Sequence, residues 1–269
     1  MRILLVSLLG TLGLASPATA HDTWLRVGGG QAAAEARFLS LELGTGARYP
    51  KSEGAIPPGR IEQLGCESER REALPVAARQ EHPTHLELRL RAGSAQAAAC
   101  WLALRPNEVT LTPELVQAYF QEIRAPQRVR DAWVQRQARG ESFREVYVKY
   151  VRIELPSLGD AAPPSLAAVR QPRGFPLELV PLGNDAVRTR APSEFLALAD
   201  GKPVSGLAVE FVHQRSPVGV WRETDAQGRV QLAPALPGEW LVRATLLEPP
   251  QSEGAPWRSR FATLTVYVP

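Results

Sequence analysis

The sequence predicts an all-β protein: two β-sandwich domains of immunoglobulin-like or transthyretin-like type, with a short helical insert in the first. Three observations carry this. Short segments of alternating apolar and polar residues recur along the chain, as half-buried strands require. The 24 prolines and 21 glycines are spread between those segments as turn formers. One stretch, about residues 112–139, breaks the alternation and takes up helical spacing instead.

The elements follow in order. His21 to Val27 alternates and ends at Gly28-Gly29-Gly30; Ala36 to Leu43 alternates and ends at Gly44-Thr45-Gly46. Ile61 to Gly65 and His85 to Leu90 are further strands, and the apolar run Ala98 to Leu104 fits a buried central one. Thr112-Pro113-Glu114 has the form of a helix start, threonine as N-cap and proline in the first turn. Leu115, Tyr119, Ile123, Val129, Trp133 and Val134 then recur at near-helical intervals, with an interruption at Pro126. Val146 to Leu155 returns to alternation. Alanine, proline and glycine dominate residues 157–173, which predicts a linker between a first domain, 21–156, and a second, 174–269. Strands at Leu177 to Val180, Glu194 to Leu198, Gly206 to His213, Arg229 to Leu232, Trp240 to Ala244 and Phe261 to Val268 complete the second domain.

Residues 1–20 read as a signal peptide. Arg2 supplies the positive start, Ile3 to Leu14 the apolar middle, and Ala18-Thr19-Ala20 the small residues a signal peptidase recognises. The apolar run is shorter than the ~20 residues that span a bilayer, and no later segment matches it without charges or prolines. The expected mature chain starts at His21, has 249 residues and is periplasmic, not membrane-spanning. Its balance is +2, the full-length +3 less Arg2, so a nucleic-acid partner is not implied. Two cysteines, Cys66 and Cys100, in an exported chain point to a disulfide; paired metal thiolates are the alternative, with unfavourable spacing.

The stretches AHDTWL, LELGTGARYPKSE, REVYVKYVRIEL, GFPLELVPLGND, LADGKPVSGLAVEF, TDAQGRVQLAPALPGEWLVRA and FATLTVYV follow one another across the mature chain. Together and in this order they resemble the bacterial domain-of-unknown-function family 4198, often labelled as associated with periplasmic nickel or cobalt uptake. REVYVKYVRIEL departs from the family pattern, with Lys149 before Tyr150 and Arg152 where a lysine is usual. The resemblance implies metal handling beside an inner- or outer-membrane metal transporter.

An amino-terminal histidine has chemistry suited to that role. The α-amine and ring Nδ1 of His21 can close a six-membered chelate on nickel, cobalt or copper. His82 and His85, in His-Pro-Thr-His, are candidates to complete the site, or solvated loop residues. His213 reads as a surface residue at a strand end, Trp24, Trp101 and Trp240 as core, and Tyr147 and Tyr150 as packing residues on opposite strand faces. The carboxylates read as scattered surface charges. No G-x-S-x-G elbow, H-E-x-x-H helix or phosphate-cradling glycine loop is present, so a non-enzymatic protein is expected. Three functions follow: a metal-binding accessory protein with His21 as ligand, a metal-free interaction module for a membrane transporter or receptor, and, third in order, a copper oxidase.

Overall fold

The computed structural model describes residues 21–28, 38–158 and 165–269. The expected signal peptide with its cleavage motif, Gly29-Gly30, Ala36-Arg37 and residues 159–164 of the expected linker lie outside them.

The first strands are β1 (Asp22–Val27), β2 (Phe38–Gly46), β3 (Gly54–Ala55), β4 (Ile61–Ser68), β5 (Val76–Glu81), β6 (His85–Arg91), β7 (Ala98–Leu104) and β8 (Asn107–Leu111). Helices α1 (Pro113–Glu122) and α2 (Gln127–Ala138) precede the long β9 (Phe143–Leu155). There follow β10 (Leu177–Pro181), β11 (Ser193–Ala199), β12 (Lys202–Pro203), β13 (Ala208–His213), β14 (Val220–Glu223), β15 (Arg229–Leu232), β16 (Gly238–Glu248) and β17 (Trp257–Val268). The chain is all-β apart from the two helices. Thr112 caps α1 by accepting a hydrogen bond from the Leu115 amide, and Pro126 separates the helices, as the sequence predicts.

An eight-stranded sheet in the order β14-β13-β16-β17-β9-β7-β4 forms the middle layer, with β8 continuing along the β7 edge of β9. Because side chains alternate along a strand, its two faces have separate cores. On one face lies a sheet ordered β1-β2-β6-β5, with β3 beside β2. Leu25, Leu41, Leu88, Leu102, Val151 and Ile153 pack between these two layers. On the other face lie β10, β11, β12 and β15, and there Leu179, Phe195, Phe211, Tyr150, Val242 and Leu264 form the core. The helices pack beside the first of these outer sheets, through Phe120, Trp133, Phe143 and Trp257. Val129 and Trp133 of α2 are buried, whereas Val134 is exposed.

The middle sheet crosses the expected domain boundary, because β17 pairs in parallel with β9. The described end of the expected linker is docked rather than solvated: Leu166 and Val169 are buried against Ala97 and Ala99. Cys66 and Cys100 are direct partners in the β4–β7 pairing and form the expected disulfide, with Cα atoms 4.1 Å apart. Closing a loop of this length is worth ~4 kcal/mol in the chain-entropy model. No helix among the described residues is long and apolar enough to cross a membrane.

Candidate functional site

β1 is an edge strand, and an edge leaves backbone groups open to pairing with another chain. Here side chains of the middle sheet occupy them. Thr263 and Thr265 hydroxyls donate to the carbonyls of Thr23 and Leu25 at 2.6 and 2.7 Å, and the Val27 amide donates to the Tyr267 hydroxyl at 2.9 Å. Lys149 Nζ donates to the His21 carbonyl. Arg243 pairs with Asp22, and Arg26 makes two bonds to Glu239 at 2.8 and 2.9 Å. The start of β1 is therefore held over β9 and β17 at every other residue. His21 sits at the end of this clamp with its ring 41% exposed, and its Nε2 lies 3.0 Å from Glu53 Oε2.

β9 supplies the other half of the site. Phe143, Glu145, Tyr147, Lys149, Val151 and Ile153 share one face by their spacing of two. Phe143 belongs to the helical core, Val151 and Ile153 to the core under the β1 sheet. The three residues between, Glu145, Tyr147 and Lys149, line a cavity of about 230 Å³. Tyr119, Phe261, Val109 and Leu111 furnish its aromatic and aliphatic walls; His21, Asn107 and Glu108 also border it.

Glu145 is 3% exposed and accepts bonds from the Tyr119 hydroxyl, at 2.9 Å, and the Ser259 hydroxyl. Both go to Oε1; Oε2 has no hydrogen-bond partner among the described residues. Burial raises the Glu145 pKa above the usual carboxylate value, against the opposing pull of Ser259, Tyr119 and Lys149. Burial also pushes Lys149 down to about 8, partly offset by Asp22. Its ammonium lies 5.6 Å from the Tyr147 ring centre and 5.9 Å from that of Phe261, within cation–π range. Besides the His21 carbonyl it reaches Thr23 Oγ1 at 3.3 Å. The Tyr147 hydroxyl accepts from the Asn107 amide at 2.8 Å.

The structure does not gather His82 and His85 around His21. His82 and His85 stack with ring centres 4.5 Å apart and face Glu87 and Glu42. They lie by β6, which β2 separates from β1. No group of three or more histidine, cysteine, aspartate or glutamate side chains among the described residues is arranged to hold a metal ion. His213 is a correction to the sequence reading. It is 1% exposed, packed on Trp240, with its ring bonded to the Pro237 carbonyl and the Arg215 amide. The carboxylates are a second correction: Asp22, Glu145, Glu154, Glu178, Glu210 and Glu239 are all buried.

Glu145 and Lys149 escape sequence reasoning because a charged residue at every second strand position resembles a solvated face, and Tyr119 because its helical spacing marks it only as a packing residue. One signal was available. Only three of the 31 cationic side chains are lysines, so Lys149 stands out in a chain that otherwise uses arginine.

Fold and site together define an all-β protein whose expected mature start is clamped at the mouth of a cavity both polar and aromatic. The chain belongs to the family described as domain of unknown function DUF4198, whose model matches residues 18–248. No curated protein matches the chain.

Proposed function

We propose that the chain is a periplasmic metal-binding accessory protein which, once cleaved after Ala20, holds one divalent nickel, cobalt or copper ion at His21. The observation that carries this reading is the 3.0 Å contact between His21 Nε2 and Glu53. A carboxylate accepting from Nε2–H fixes the tautomer with its lone pair on Nδ1, the nitrogen that closes a six-membered ring with the α-amine. Carboxylates paired in this way with metal-ligating histidines orient the ring and raise its basicity. The clamp on β1 supports the same reading, because it holds the backbone from which both nitrogens extend. His21 would supply two donors, the α-amine and the ring nitrogen. A role in uptake beside a membrane transporter belongs to this reading through the family resemblance.

Calorimetric titration of Cu(II) and Ni(II) tests it, on protein whose intact mass places its start at His21. One added residue before His21 turns the α-amine into an amide and is expected to weaken binding at least tenfold, about 1.4 kcal/mol. Glu53→Ala is expected to weaken it about tenfold, as loss of an outer-shell partner does. Equal affinity in all three proteins overturns the proposal.

The two-domain division at residues 157–173 is part of the same reading, with the second unit immunoglobulin-like or transthyretin-like. The core under β10, β11 and β15 supports it, since most of its residues follow Gly174. A fragment from Gly174 to Pro269 is expected to melt cooperatively by circular dichroism, below the melting point of the whole chain because β17 loses β9. A fragment without a cooperative melt contradicts the division.

A further inference from the structure

We infer that the cavity beside β9 binds a zwitterion the size of a di- or tripeptide, with the ligand's amine at Glu145 and its carboxylate at Lys149. The inference does not depend on metal at His21.

Each end of the cavity offers one charged group with bonding capacity left over. At Glu145, two hydroxyls converge on Oε1 and leave Oε2 without a partner among the described residues. An ammonium donor supplies the bond that this oxygen lacks and a countercharge for the buried carboxylate. At Lys149, two of three N–H donors go to His21 and Thr23, and the third has no partner among the described residues. A carboxylate is the natural acceptor for it.

Separation sets the size of the ligand. Glu145 and Lys149 are four residues apart on one strand, so their Cα atoms lie about 13 Å apart at the usual rise per residue. The ammonium and carboxylate of one α-amino acid are close neighbours; those of a short peptide stand further apart, which better matches side chains rooted at that distance, and about 230 Å³ accommodates one. Between the charged ends the walls are Tyr147, Phe261, Val109 and Leu111, suited to an apolar side chain rather than to a sugar or a polyanion. A simple fatty or aromatic carboxylate satisfies Lys149 alone and leaves Glu145 Oε2 as it is.

The experiment is calorimetric titration in EDTA with a panel of dipeptides bearing small and branched apolar side chains. The best binder is then compared with its N-acetyl and C-amide forms. Both modified forms are expected to bind at least tenfold more weakly. Glu145→Gln is expected to abolish the discrimination against the N-acetyl form, and Lys149→Gln that against the C-amide, which a purely structural role for either residue would not do. Binding by no member of the panel, or equal binding of the N-acetyl form, overturns the inference. Because metal is absent throughout, failure here and failure of the His21 chelate are separate results.

Discussion

Strand β9 carries a buried polar cluster on each face, and the two differ in the space left beside their carboxylates. On the face toward β10, Glu154 takes two bonds from Arg170, at 2.8 and 2.6 Å, so both its oxygens are partnered. Nearby, Glu178 accepts backbone amides of Arg173 and Phe175, one on each oxygen. The space left beside Arg152 and Glu178 is about 10 Å³, no more than one water's worth. On the opposite face Glu145 has one oxygen doubly bonded and the other unpartnered among the described residues, against about 230 Å³ of cavity. In the first cluster the carboxylates are paired and bonded, although Arg152 Nε and Arg173 Nε and Nη2 are buried without a partner among the described residues; with no room for a ligand, this cluster is a structural tie. It pins Arg170, in the expected linker, to the middle sheet. The second cluster is distinguished by its room, a buried carboxylate that lines a cavity being what a binding site needs.

Single substitutions should separate the two clusters by size of effect. The largest loss is expected from Glu154→Gln, which leaves Arg170 buried at 5% exposure beside a neutral partner. Breaking a buried pair from one side costs about 3–5 kcal/mol, measurable by denaturant unfolding. A loss below 1 kcal/mol contradicts the structural role.

Glu145→Gln is expected to have a smaller effect of opposite sign. Burial holds the folded pKa of Glu145 above its unfolded value, so the folded state binds this proton more tightly. Wild-type stability therefore falls relative to the variant as pH rises from the unfolded value through the folded one, and below about 4.5 the two converge. Each unit between the two pKa values is worth about 1.4 kcal/mol. Unfolding curves from pH 4 to pH 8 in which the variant gains no stability with rising pH would show that Glu145 is fully satisfied in the empty protein.

Most of the fold was legible because it rests on local pattern. The alternation of β9, the threonine-proline start of α1 and the break at Pro126 all appear where the residues put them. Among the strands missed, β5 is exposed along nearly its whole length, and β8 is short, with only Val109 and Leu111 half-buried. The site was half legible. His21 could be singled out because a terminal histidine has distinctive chemistry wherever it sits. Its partner Glu53 comes from the loop beyond β2, and Glu145 is buried by α1 through Tyr119; neither contact is local in sequence. His213 was misread for the same reason, since Trp240 on the neighbouring strand covers it.

The claim that metal is held by His21 through its own two nitrogens can be tested most directly by electron paramagnetic resonance of the Cu(II) complex. The protein should be prepared with 15N-histidine and a mature start verified by mass. Two 15N couplings are expected from the one residue, amine and ring, with the amine coupling lost when one unlabelled residue precedes His21. A spectrum unchanged by that extension, or one showing several imidazoles and no amine, would contradict the account.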